Sequence, residues 1–113
     1  MEPNYTYQAV IYNVVDGDTV DAKIDLGFKI HTLQRLRLLR VDTRELSSKD
    51  PDLKELALKA KERVKELCLN QYTTVQTTKT DSFGRYLVEI WLENGVCVNE
   101  LLLQEELAVP YNK

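Results

Sequence analysis

Between Tyr7 and Val41 the sequence alternates apolar with polar residues in three successive runs, and no other feature limits its fold so strongly. The first run, Tyr7 to Val15, sets Ala9, Ile11, Asn13 and Val15 on one side. Asp16-Gly17-Asp18 follows with turn-favouring residues, and then Val20, Ala22 and Ile24 alternate with Asp21, Lys23 and Asp25. Leu26-Gly27 interrupts the pattern. From Lys29 to Val41 it resumes, with Leu36 and Leu38 on one face and Arg35, Arg37 and Leu39 on the other. Three strands joined in this way make a meander.

The period then changes. Ser47 to Asp50 is a polar loop, Asp50 has the side chain to cap a helix, and Pro51 suits a first helical turn. Leu53, Leu56, Ala57, Ala60, Val64, Leu67 and Cys68 recur at helical spacing, opposite a solvated face of Lys54, Glu55, Lys59, Glu62, Arg63 and Lys65. Thr73 to Thr80 and Tyr86 to Leu92 read as strands, and Asn94-Gly95 as a tight turn. Asn99 to Leu107 reads as a short helix turning Leu101, Leu102 and Leu103 to the core. This order predicts a mainly β, α+β domain. Its architecture is a five-stranded barrel of the oligonucleotide/oligosaccharide-binding (OB) topology, with one helix between strands three and four and a short C-terminal helix. A chain of 113 residues holds one core, so residues 1–113 form a single domain and the motifs serve a single site.

With 43% hydrophobic and 29% charged residues and no apolar run of membrane-spanning length, the chain reads as a compact soluble protein without a membrane partner. Met1-Glu2-Pro3-Asn4-Tyr5 lacks the basic start and apolar stretch of a secretory signal, so the expected location of the chain as written is cytoplasmic, a removed leader aside. Cys68 and Cys97 lack a metal-type spacing and read as free thiols. The net charge of -3 excludes a coat that holds nucleic acid by bulk positive charge. Local charge differs: Lys29, Arg35, Arg37, Arg40 and Arg44 face only Asp42 between residues 29 and 44, a stretch able to receive a polyanion.

Carboxylates stand at the ends of the strand-like runs, Asp16 and Asp18 after the first and Asp42 and Glu45 after the third. Much later Asp81-Ser82-Phe83-Gly84-Arg85 supplies a turn with an arginine. Each group alone is ordinary turn or surface chemistry. Together they make the inventory for cutting a phosphodiester: hard oxygens for a divalent ion, a spare carboxylate for water, and guanidinium groups for phosphate. The solitary His31 lies in a strand with no second metal-type partner near it in sequence.

Four motifs in order, Val15-Asp16-Gly17-Asp18-Thr19-Val20, Arg37-Leu38-Leu39-Arg40-Val41-Asp42-Thr43-Arg44-Glu45, Thr80-Asp81-Ser82-Phe83-Gly84-Arg85 and Val98-Asn99-Glu100-Leu101, resemble the signatures of the staphylococcal nuclease (thermonuclease) family. The resemblance runs from about Tyr7 to Ala108. It implies that Asp18, Asp42 and the Thr43 carbonyl coordinate calcium, that Glu45 acts on the attacking water, and that Arg37 and Arg85 hold the phosphate. It also implies cleavage of DNA and RNA at the bond to the 5′ oxygen, leaving 3′-phosphate ends. Arg44 stands where many relatives have proline, and Ser82 and Phe83 stand where the best-known relatives have a lysine and a tyrosine that touch nucleotide phosphate. Tyr111 matches loosely the place of a substrate-side tyrosine beyond the second helix.

The expected function is therefore a calcium-dependent nuclease acting on DNA or RNA. The alternative is a non-catalytic OB barrel that binds single-stranded nucleic acid or a protein partner, which would have no need of all five charged side chains. Well-known relatives add a third helix past the point where this chain ends, so apolar surface around Leu102, Leu107 and Val109 is expected to be closed by self-association or by a partner segment.

Overall fold

The computed structural model describes residues 5–44, 49–80 and 84–111. β1 (Thr6–Asp16), β2 (Thr19–Asp25) and β3 (His31–Leu38) form an antiparallel meander in which Ala9 faces Ile24 and Val20 faces Leu36. A short β4 (Val41–Asp42) precedes α1 (Pro51–Cys68), which leads into β5 (Tyr72–Thr80) and β6 (Tyr86–Leu92). Then come α2 (Val98–Gln104) and β7 (Val109–Pro110). β5 pairs antiparallel with both β1 and β6, and β6 runs parallel to β3 with Tyr86 beside Leu36, so β1-β2-β3-β6-β5 closes on itself. This is the five-stranded OB-type barrel that the order of elements predicts, with α1 between its third and fourth strands.

Alternation makes the barrel interior. Ile11, Val20, Ala22, Leu36, Val75, Val88 and Ile90 from the strands meet Val64, Cys68, Val98 and Leu102 from the helices, all fully buried. Burying each of the larger side chains contributes about 1.5–3 kcal/mol. The cap of α1 follows the sequence: the Asp50 carboxylate accepts the Asp52 N–H at 2.9 Å, and Pro51 opens the helix where a missing N–H costs nothing. Its buried stripe is narrower than the apolar spacing predicts, comprising Ala57, Ala60, Val64 and Cys68 while Leu56 stays 39% exposed. Both cysteines are free thiols, and Cys68 donates to the Val64 carbonyl at 3.1 Å. Among the described residues no helix is long and apolar enough to cross a membrane.

Three boundaries differ from the periodic reading, each for a local reason. A bulge between Ile11 and Asn13 shifts the phase of β1, so that Val14 rather than Asn13 or Val15 faces the core. The run from Lys29 to Val41 is two strands, because Arg40 takes a left-handed φ of 67° and turns the chain between β3 and β4. α2 begins at Val98 and stops at Gln104 rather than spanning Asn99 to Leu107. Glu106 adopts a φ of 60° there, and Leu107 N–H donates to Leu102 O at 3.0 Å while Glu106 N–H donates to Leu103 O at 3.2 Å. That is a Schellman end with glutamate in the position glycine usually holds. It folds Leu107 back against the core and leaves Leu102 fully buried, so of the three residues expected to lack cover only Val109 is exposed.

Candidate active site

The site is assembled where the β1–β2 turn meets the β3–β4 connection. Gly17 sits in that turn pressed against α1: a Cβ there would lie 2.7 Å from the Ala60 Cβ and 3.0 Å from both Cγ2 and Oγ1 of Thr43. Only a residue without a side chain allows this approach, and the small Ala60 completes the space. The contact fixes the next residue. Asp18 Oδ1 accepts the Thr19 hydroxyl at 3.0 Å, and Oδ2 accepts the Thr43 N–H at 3.1 Å, across 25 residues of chain. The Asp18 carbonyl accepts Leu38 N–H at 2.8 Å, which ties the turn to the end of β3.

Arg37, opposite Thr19 on β3, is 9% exposed. Its Nη1 donates to the carbonyls of Leu38 and Val41 at 2.9 and 2.7 Å, so the guanidinium itself bridges the turn between β3 and β4. Its Nη2 lies 3.2 Å from Asp42 Oδ1 and 3.5 Å from Asp18 Oδ2. Two carboxylates thus gather around one positively charged nitrogen. They differ in setting, the Asp18 side chain being 13% exposed and that of Asp42 46%. Tyr111 covers the arginine, with Arg37 Cζ 5.7 Å from its ring centroid. It is held there because β7 pairs with β4, Val109 opposite Asp42, and Tyr111 N–H donates to Arg40 O at 2.9 Å.

The residues present fit a hard divalent cation. Asp18 and Asp42 converge, every donor is oxygen, and the Thr43 hydroxyl is buried with no hydrogen-bond partner. Calcium tolerates such an irregular set because it takes about six to eight oxygens, several of which water and substrate can supply. Among the described residues no group of three or more His, Cys, Asp and Glu side chains forms a closed metal cage.

Of the six residues singled out from sequence, the structure brings Asp18, Arg37, Asp42 and Thr43 together. Arg85 is half-buried immediately before β6, the strand that runs beside β3. Glu45, like Asp81, Ser82 and Phe83, lies outside the described residues. His31 is at the far end of β3, paired with Asp25. Sequence reasoning gave Thr19 and Gly17 no part beyond the turn. A hydroxyl and a glycine flanking an aspartate are too common in turns to signal it, and what gives them their roles is α1 and Thr43 arriving from elsewhere in the chain.

A family model described as staphylococcal nuclease homologue matches residues 35–113. That span takes in Arg37, Asp42, Thr43, Glu45, Arg85 and Tyr111 but begins after Asp18, whose membership of the site rests on its hydrogen bond from Thr43. No curated protein matches the chain.

Proposed function

This chain belongs to the family of staphylococcal nuclease homologues, and from that premise we propose that it is a calcium-dependent phosphodiesterase that hydrolyses DNA or RNA and leaves 3′-phosphate ends. The observation that carries the reading is the meeting of Asp18 and Asp42 on one arginine nitrogen. Asp18, Asp42 and the Thr43 carbonyl would hold the calcium, which supplies Lewis-acid polarisation of a phosphoryl oxygen when bound. The chain does the rest. Anchoring of Arg37 Nη1 on two carbonyls fixes the guanidinium plane before substrate arrives, so its charge is in place as negative charge grows on the phosphoryl oxygens. Arg85 is the second such group, and each guanidinium offers a planar fork that matches phosphoryl oxygens. Glu45 takes a proton from the attacking water as the new P–O bond forms and the bond to the 5′ oxygen breaks, and that oxygen leaves as an alkoxide that takes its proton from solvent water. The role of Glu45 rests on its place three residues after Asp42 and on the resemblance.

The test is incubation with single- and double-stranded DNA and RNA, in calcium or in excess chelator. Cleavage in calcium that chelator abolishes is the expected result, with Glu45→Gln lowering the rate by about 10²-fold or more while oligonucleotide binding persists. Undiminished cutting in chelator removes this mechanism. Binding by wild type and Glu45→Gln alike, with no cutting by either, makes the barrel a binding module.

A further inference from the structure

Two strands of the barrel outrun their neighbours, and other parts of the chain close the edges this leaves. Past Val10, where its pairing with β5 ends, β1 takes Leu69 in a parallel bridge, and Ile11 O accepts Asn70 N–H at 2.6 Å. Past Val88, where its pairing with β3 ends, β6 donates Ile90 N–H to the Asn99 side chain at 3.1 Å and bridges Trp91 to Cys97. β3 lacks such a cover. It meets β6 only from Leu36 to Leu38, so residues 31–35 pair with β2 alone, and among the described residues nothing bonds to their other edge.

The ladder fixes which groups that edge presents. Leu26 N–H donates to Ile30 O at 2.9 Å at one end of the β2–β3 hairpin, and Leu38 N–H to Asp18 O at 2.8 Å at the other. In an unbulged antiparallel ladder the bonded pairs recur at every second residue. Thr32, Gln34 and Leu36 therefore bond to β2, while the N–H and C=O groups of His31, Leu33 and Arg35 point outward. Strand edges are usually guarded by proline, lysine or a bulge, and residues 31–35 contain none of these. Leu33 is 64% exposed, and the Arg35 guanidinium is committed sideways, to Asp21 at 2.8 and 3.2 Å.

We propose that residues 31–35 are a docking edge for an extended polypeptide segment of a partner protein, which joins the barrel as an antiparallel strand. This does not depend on the nuclease reading. Donors and acceptors alternating at strand spacing are matched by another backbone in extended conformation. A second copy of this chain fits poorly: antiparallel pairing centred on Leu33 would bring the copy's Ile30 and its turn opposite Leu36, where Tyr86 already pairs. A single segment can turn away at Arg35. The partner residue beside Leu33 is apolar, to cover it. Lys23, across the ladder from Leu33, and Lys29, just past His31, are exposed and have no ion pair among the described residues. Carboxylates toward the Lys29 end of the segment complete the match.

The probe is a fluorescein-labelled peptide, Thr-Thr-Val-Thr-Val-Asp-Asp, with its first residue opposite Arg35 and its third opposite Leu33. Binding is read by anisotropy and amide exchange by NMR. In the free monomer the Leu33 and Arg35 amides should exchange rapidly while those of Thr32 and Gln34 are protected, and the peptide should protect the first pair. N-methylation of the third and fifth peptide residues, whose N–H groups face the edge, should weaken binding by about tenfold or more. The same change at the second and fourth, whose N–H groups face away, should leave it intact. Leu33→Pro removes one outward donor and no barrel bond, so it should keep the melting curve and lose peptide affinity. Leu33→Glu, which keeps the backbone and sets a like charge against the peptide, is the second variant should the proline perturb folding. Slow exchange of Leu33 and Arg35 in the free monomer, absence of binding at about 1 mM peptide, or equal binding by both methylated peptides overturns the proposal. A dimer in sedimentation whose dissociation on dilution exposes those same amides assigns the edge to self-association and overturns it as well.

Discussion

Gly17 shows how a single atom governs the site. Its missing Cβ leaves room for Ala60 and Thr43, and that room lets Asp18 receive the Thr43 amide. Gly17→Ala places a methyl 2.7 Å from the Ala60 Cβ, well inside contact distance, and neither α1 nor the barrel can yield without repacking. The expected cost is about 1–3 kcal/mol, with calcium affinity falling alongside as the Asp18 carboxylate is pushed from Thr43. Chemical denaturation and calcium titration check the two effects separately. Loss of stability with calcium affinity unchanged would show that Asp18 is not positioned by this contact. Arg37 illustrates the same economy: one guanidinium joins two backbone carbonyls to two carboxylates, so its charge and its scaffolding cannot be separated by any single substitution.

At the scale of elements, Asn99 does for the barrel what Gly17 does for the turn. Buried in the first turn of α2, it accepts Ile90 N–H at 3.1 Å and donates to the carbonyls of Leu39 and Val88, each at 3.0 Å. One amide therefore joins α2, β6 and the turn that delivers Val41 and Asp42. Asn99→Ala strands these buried backbone groups and should destabilise the fold by about 3 kcal/mol, read as a lower urea midpoint with little change in slope. A loss under about 0.5 kcal/mol would mean that water replaces the amide. The strands and α1 with its Asp50 cap were legible in the sequence, because alternation, helical spacing and capping are local signals; Asp18, Arg37, Asp42 and Thr43 were singled out together through the family resemblance, and the fold sets them side by side. The Tyr12 bulge, the Arg40 turn and the Glu106 helix end were not. The first two place the chain by pairing with distant segments, and the last two put a charged residue where glycine or asparagine would have announced a left-handed backbone. Tyr111 was legible only as a loose match, since its place over Arg37 depends on the β4–β7 pair, two residues on each side.

For the whole molecule, titration should show which charges the fold has committed. The Arg35 fork, foremost among its neighbours, holds the Asp21 carboxyl below its ordinary value of 3.8, and the Arg63 fork does the same for Glu105, joining α1 to the end of α2. A carboxyl depressed by folding contributes stability that is present above its unfolded value and is lost as pH falls through the folded one, so both act on the acid limb below about pH 4. Cys68 works at the other end. Burial pushes its thiol up to about 12 from an ordinary 9.0, so the folded state resists ionisation that the unfolded chain accepts. That contribution is present below pH 9 and is lost as pH rises toward 12. The melting temperature should therefore be nearly flat between about pH 5 and 8 and fall on both sides. Asp21→Asn should flatten the acid limb and leave the alkaline one, and Cys68→Ala the reverse, whatever each substitution does to stability at neutral pH. Salt should weaken both pairs, because the Arg35, Arg63 and Glu105 side chains are 55%, 32% and 33% exposed and screening reaches each pair from its open partner. An acid limb that Asp21→Asn leaves untouched at low salt would remove the Arg35–Asp21 pair from any part in stability and leave it only its place beside the site.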